Sequence, residues 1–288
     1  MNRVIINADD FGINKSVTSK TIRLLEEGKI SSATIMANGT ALDEVKAAVA
    51  DFPKASFGVH LCLSEYQSLT KSNVLEKYHI TDGNGDFVKR AIFTVGSFPE
   101  ELCLAIKQEL SAQIEKVLDM GVPVSHADSH HLVHTNIAAL TGCFVEVFDK
   151  YGIKRVRIGE EINVSRVLYN NMVRKVAENH TDSGENTTLG NESGEAMGYV
   201  ARMKRLVATS NERRKTNLLY RQNYSTTDIF NSYNRFLATG AQLKKNGCVE
   251  LMCHPGHTNP EYVSEINNIE QKKLDALLQY MMISYNNL

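Results

Sequence analysis

Short apolar runs that alternate with helical segments leave this chain few architectures. Residues 3–8, 32–37, 56–63 and 249–253 are rich in β-branched and aliphatic side chains and too short to be helices. Between such runs lie helical patterns: Val17, Ile22, Leu24 and Leu25 ahead of Gly28, the stretch 41–52 stopped by Pro53, and 136–150. A longer one over 99–120 puts Leu102, Ile106, Leu110, Ile114, Val117 and Leu118 on one stripe. Strands that are apolar throughout, rather than alternating, expect cover on both faces, which parallel βα units provide. The predicted class is α/β. A further strand is expected over 153–158, a helix cap at Ser225-Thr226-Thr227-Asp228 ahead of an apolar helix, and a closing helix over much of 261–285. Two stretches read as loop insertions. One is 64–98, whose Asp82-Gly83-Asn84-Gly85-Asp86 suits a lid or small hairpin; the other is 176–198, polar enough to read as a mobile loop. Basic residues from Arg202 to Lys215 read as a solvated helix face.

Size and charge narrow the partners. A chain of 288 residues, 42% of them hydrophobic, buries a sizeable core and admits one barrel-like domain or two smaller ones. No repeat or linker divides it, so 1–288 is read as a single domain. With 32 Lys+Arg against 33 Asp+Glu there is no basic field, so neither nucleic acid nor a membrane surface is the expected partner. A small neutral ligand is the default. Five scattered cysteines without a C-x-x-C pair fit reduced thiols, no secretory signal pattern is read at the first residues, and no eighteen apolar residues run together. The expected location is cytoplasmic.

Polar residues crowd where the strands end. Asp9 and Asp10 follow the first run, His60 lies in the third, and His254 follows the last. Within 126–134 fall four of the nine histidines: His126, His130, His131 and His134. If 122–130 is a strand, His126, Asp128 and His130 share one side while Ser129 and His131 take the other. By the same parity Arg155 and Arg157 share a side. Each residue alone has a plain structural explanation: Asp9-Asp10 as a helix cap, His60 as a hydrogen-bonded core histidine, His254 as a turn residue, the histidine run as a tract with no catalytic purpose. Their convergence carries the argument, because parallel α/β folds build sites at the carboxyl ends of several strands. Imidazole and carboxylate together suit a divalent cation held by about three protein ligands with an open place for water.

Asn7-Ala8-Asp9-Asp10-Phe11-Gly12, Gly58-Val59-His60-Leu61, His126-Ala127-Asp128-Ser129-His130-His131 and Glu250-Leu251-Met252-Cys253-His254-Pro255-Gly256 resemble, in order, the signature segments of the YdjC-like carbohydrate deacetylases. That family includes chitooligosaccharide deacetylase. The resemblance implies a distorted or incomplete (β/α) barrel, a homodimer, and a divalent cation, Mg2+ first with Zn2+ or another transition metal as the alternative. It implies hydrolysis of N-acetyl groups on short N-acetylglucosamine oligomers such as chitobiose, sometimes as 6-phosphates. Carried over by position, Asp10, His60 and His130 would hold the metal, Asp9 would be the base and His254 the acid. Asp128 and Ser129 would support the ligands; His126, His131, Arg155 and Arg157 are further candidates, the arginines for a sugar hydroxyl or phosphate. Leu132 stands where relatives often have a third consecutive histidine, so His131 and His134 receive no firm role. The match is weakest over 176–215. Two other classes are compatible with such residues: a metal-dependent amidohydrolase or phosphoesterase, and a catalytically silent sugar-binding or regulatory protein that keeps the metal.

Overall fold

A computed structural model describes residues 1–159, 192–239, 243–270 and 280–288, with side chains for all of these but 192–207 and 239. The chain begins β1 (Asn2–Phe11), α1 (Lys15–Glu26), β2 (Ser32–Ile35), α2 (Leu42–Val49) and β3 (Ser56–Leu61). The insertion that follows carries the short α3 (Asn73–Lys77), then come α4 (Glu100–Asp119), β4 (Val124–Ser129), α5 (Val133–Asn136) and α6 (Thr141–Lys150). The remainder is α7 (Glu192–Asn223), β5 (Ile229–Ser232), α8 (Tyr233–Thr239), β6 (Cys248–Cys253), α9 (Pro260–Glu270) and β7 (Tyr280–Met282).

The strands are parallel, in the order β4-β3-β2-β1-β6-β5, with β7 paired to the first residues of β1. Val156 bridges Ala127 of β4, and Arg155 bridges Ser225, so the wall continues from β4 round toward β5 without a full ladder. This is the incomplete, distorted (β/α) barrel. The strand expected over 153–158 therefore contracts to isolated bridges, because its outer neighbour supplies only Ser225.

Alternation along the strands sorts the residues into two sets. Ile6 and Ala8, Ala33 and Ile35, Phe57, Val59 and Leu61 join the buried apolar layer under the helices. The intervening residues Asn7, Asp9, Ser32, Thr34, His60, His126, Asp128 and Glu250 are buried too; all but Glu250, which bonds to Arg157 and Tyr285, bond among themselves inside the barrel. The barrel interior is polar. On α4, Leu102, Ile106, Leu110, Ile114 and Val117 are fully buried, each contributing roughly 1.5–3 kcal/mol through burial. Leu118, expected on that stripe, is 40% exposed, one residue beyond the register that faces the sheet.

Three other expectations change. Ser225–Asp228 does not cap a helix: it leads into β5, and Asp228 exchanges bonds with the Cys248 backbone at the start of β6. The closing helix is α9 alone, ending at Glu270; Tyr280–Met282 is a strand, and 271–279 lie outside the described residues. Of the loop expected over 176–198, residues 176–191 also lie outside them, and 192–198 belong to α7. Among the described residues all five cysteines are free thiols, and no helix is long and apolar enough to cross a membrane.

Candidate metal centre

Asp9 and Asp10 sit inside β1, and α1 is capped instead by Asn14, whose side chain accepts from the Val17 N–H at 3.0 Å. The capping explanation for the aspartates falls away. Successive strand residues ordinarily face opposite ways, yet both carboxylates are buried among the polar interior groups. Two local features reconcile this: the pairing of β1 with β2 slips between Ala8 and Phe11, and Asp10 takes a left-handed backbone (φ 63°). Aspartate tolerates that region better than most residues.

Asp10 Oδ1 lies 3.2 Å from His60 Nε2 and 3.0 Å from His130 Nδ1, and the two ring nitrogens are 3.4 Å apart. The three groups come from the ends of β1, β3 and β4. On its far side His60 Nδ1 donates to Asp128 Oδ1 at 2.6 Å, which leaves Nε2 as a bare lone pair facing Asp10. Asp10 Oδ1 is buried with no hydrogen-bond partner. A lone-pair cluster around an orphaned carboxylate oxygen is what a divalent cation satisfies, so these residues fit one. Protons compete for the same place. Burial lowers both imidazoles, but the Asp128 charge and bonds to Asp10 and Asp128 leave His60 well above its ordinary value; Asp10 and Glu65 likewise leave His130 raised. Burial pushes Asp10 upward, and His130, His257 and His60 overcome it to hold the carboxyl well below the usual range.

Beneath this centre lies Arg157, fully buried. Nη1 and Nη2 donate to the two oxygens of Asp9 at 2.7 Å each, Nη1 also lies 2.6 Å from Asp128 Oδ2, and Nε donates to Glu250 Oε1 at 2.7 Å. Arg157 thus faces three carboxylates and has no exposed surface for a sugar or phosphate, which corrects the reading of it as a substrate contact. Burial drives Glu250 up to about 7 against the pull of Arg157 and of the Tyr285 hydroxyl, which donates to its Oε2. Asp9, His60 and Asp128 form a second group with metal-binding spacing, but the guanidinium already neutralises both carboxylates there.

The other expected residues divide by strand parity. His126 is interior but deeper: its ring stacks on Tyr285 (centroids 3.7 Å apart), Ser125 and Ser32 hydroxyls meet its nitrogens, and burial pushes it down to about 3. Gly58 makes room for that ring, since a Cβ there would stand 2.6 Å from His126 Cε1. Arg155 lies toward the same lower end, with Nη2 3.4 Å from the Asn286 carbonyl. Neither His126 nor Arg155 is among the groups brought to the metal centre. Ser129 points outward and holds His134, whose Nδ1 accepts from the Ser129 hydroxyl at 2.6 Å while Nε2 donates to the Arg157 carbonyl at 2.9 Å. Ser129 and His134 therefore pin the Arg157 backbone instead of contacting the ligands. His131 takes a left-handed backbone (φ 55°) and meets the Ser64 hydroxyl at 2.9 Å.

His254 follows β6, beside Ala8 of β1 through the Ala8–Cys253 pairing. Its Nδ1 is 3.2 Å from the buried Glu265 of α9, and its ring stacks on Tyr262 at 3.9 Å. Burial lowers its basicity, and Glu265, Asp9 and Asp10 raise it above the ordinary value overall. Sequence reasoning missed His257, whose Nε2 lies 3.0 Å from Asp10 Oδ2. The signal was Gly256: at φ 76° it turns the loop so closely onto α1 that a Cβ would sit 2.6 Å from the Ser16 carbonyl. It also missed Glu65, 3.3 Å from His130 Nε2, and the supporting roles of Glu250, Glu265 and Tyr262.

Fold and site together define an α/β half-barrel with a carboxylate and two histidines gathered at its strand ends. The chain belongs to the family described as YdjC-like protein, whose model matches residues 3–283. It is 32% identical over 138 residues to a carbohydrate deacetylase of Brevibacillus brevis, covering 48% of this chain and 52% of that one. A carbohydrate deacetylase of Vibrio campbellii is 34% identical over 135 residues, 46% of this chain and 51% of its own. The matched region spans about half the length of these curated relatives. Among solved structures, that of a proposed cellobiose-phosphate cleavage protein from Enterococcus faecalis V583 shares the fold, with a TM-score of 0.65 and 19% identity over 100% of this chain and 99% of that one.

Proposed function

We propose that this protein is a metal-dependent hydrolase that removes N-acetyl groups from short N-acetylglucosamine oligosaccharides of the chitobiose type, with or without a 6-phosphate. The observation that carries the reading is the meeting of Asp10, His60 and His130 around one unsatisfied carboxylate oxygen, with Asp9 adjacent in the strand. The name of the curated relatives, carbohydrate deacetylase, supports an acetylated carbohydrate as the substrate. When bound by Asp10, His60 and His130, a divalent cation supplies Lewis acidity toward water and an acetamide carbonyl. The two imidazole nitrogens favour Zn2+ or another transition ion over Mg2+, which prefers oxygen ligands.

The protein's own groups do the proton work. Asp9 accepts three hydrogen bonds, two from Arg157 and one from Asn7, so of its four lone-pair sites one is left to take a proton. That carboxylate is the base. Arg157 fixes its plane, and Asn7 fixes Oδ1 against Thr34. Protonated His254, held by Glu265 and Tyr262, donates to the departing amine.

Acetate release from chitobiose tests the reading. Wild-type protein should release acetate, a chelator should abolish release, and added Zn2+ or Mg2+ should restore it. His60→Ala should lose metal and activity together. Metal-loaded wild-type protein that frees no acetate would refute the assignment, and full metal occupancy in His60→Ala would refute the ligand set.

A pH dependence follows from His254. Its basicity is raised, so the acid form still predominates at pH ~6.5 and is lost as pH climbs through the higher folded value. The alkaline limb of the kcat profile is therefore expected above pH ~6.5, and Glu265→Gln, which removes the largest raising contribution, should move it to lower pH. An unmoved limb would assign the acid elsewhere.

A further inference from the structure

The insertion after β3 reaches the centre through Glu65, with the Tyr66 ring beside it 6.4 Å from that of His130. Its first residues are pinned to α4: the Gln113 side chain accepts from Cys62 N at 2.8 Å and donates to Cys62 O at 2.7 Å. Farther along, the fully buried Glu109 accepts from Leu69 N at 3.0 Å, from Thr70 N at 2.9 Å and from the Thr70 hydroxyl at 2.7 Å. Between these anchors stands Glu65. Its Oε2 lies 3.3 Å from His130 Nε2, and its Oε1 lies 3.0 Å from the exposed Lys89 ammonium.

We propose that Glu65 is a positioning residue that fixes His130 as an Nδ1 ligand of the metal centre. The inference rests on the metal-centre reading above and goes beyond it by naming what orients the third ligand. An ionised carboxylate only accepts hydrogen bonds, so the nitrogen facing Glu65 carries the proton and the other presents its lone pair. That other nitrogen, Nδ1, is the one 3.0 Å from Asp10 Oδ1. Asp128 does the same for His60 through the opposite ring nitrogen. Two carboxylates from different elements thereby set opposite tautomers in two histidines, and both lone pairs converge on Asp10. Glu65 acts on the far side of the His130 ring, away from that point.

A competing arrangement exists in the same residues, since Glu65, His130 and His131 also have spacing that would admit an ion of their own. The Ser64 hydroxyl at His131 Nδ1 and Lys89 at Glu65 argue for the positioning role instead.

The test titrates the metal-stripped full chain with ZnCl2 by calorimetry and records long-range 1H–15N spectra of the zinc-loaded protein. The inference expects one Zn2+ per chain and a His130 ring protonated at Nε2 and ligated through Nδ1. Glu65→Ala should weaken zinc binding about 10–100-fold, the usual effect of losing a partner behind a ligand. Glu65→Gln, whose amide oxygen still accepts from Nε2–H, should recover most of that loss. Ligation of His130 through Nε2, wild-type affinity in Glu65→Ala, or a second zinc lost on that substitution would each overturn the proposal. The spectrum of the wild-type protein decides the tautomer even if Glu65→Ala fails to fold. A wild-type chain that binds no zinc would instead bring down the metal-centre reading along with the inference.

Discussion

Asp9→Asn is expected to lower kcat for acetate release by about 10²–10⁴-fold, the usual share of a general base, while the bound metal stays in place. The substitution preserves size, and Asp9 is not among the three groups that meet at Asp10 Oδ1. What it removes is the proton acceptor. It also turns one of the two oxygens facing Arg157 into an amide nitrogen, so a modest loss of stability should accompany the lost rate. Metal content by elemental analysis, measured beside kcat, separates this outcome from disruption of the centre. A rate near wild type would place the base elsewhere.

Arg157→Leu should cost about 3–5 kcal/mol of folding stability, because removing one partner of a buried charge network leaves the others uncompensated. Here three carboxylates lose their common cation: Asp9, Asp128 and Glu250. The expected fall in Tm is on the order of 10 °C at neutral pH. Its pH dependence has a definite sign. Burial raises the Asp128 carboxyl, but Arg157 and His60 hold it below its ordinary value in the fold. A depressed carboxylate contributes stability that is complete above its unfolded pKa of about 3.9 and disappears as pH falls through the folded value. The gap between wild type and Arg157→Leu should therefore narrow in acid. A Tm within one or two degrees of wild type at pH 7 would mean that the network can be discarded freely.

The architecture was legible where strands were continuous and apolar. β1, β3 and β6 announce themselves in Val4-Ile5-Ile6, Phe57-Gly58-Val59 and Val249-Glu250-Leu251, and helix-length spacing between such runs demands a parallel sheet. β5 and β7 were not legible. Ile229–Ser232 and Tyr280–Met282 are too short to show a period, and they exist as strands because β6 and β1 offer them edges. Asp10, His60 and His130 could be read together because each lies at a strand end. The role of Arg157 could not: parity places Arg155 and Arg157 on one side, but only packing decides how deep each goes, and two residues of rise separate a floor contact from a charge clamp. Glu65 and His257 escaped for a different reason, since both reach the centre from loops whose paths depend on anchors elsewhere, Glu109 and Gln113 on α4 and Ser16 on α1.

The segment that follows β7 is tied into the floor of the barrel. Tyr285 takes the Ser56 hydroxyl with its backbone N–H, lays its ring on His126 and gives its own hydroxyl to Glu250, which in turn grips Arg157. It is a stopper seated from below, one carboxylate and one guanidinium away from Asp9. Trimming the chain behind Met282 would thus be felt some distance upward, as an unplugged interior open to solvent.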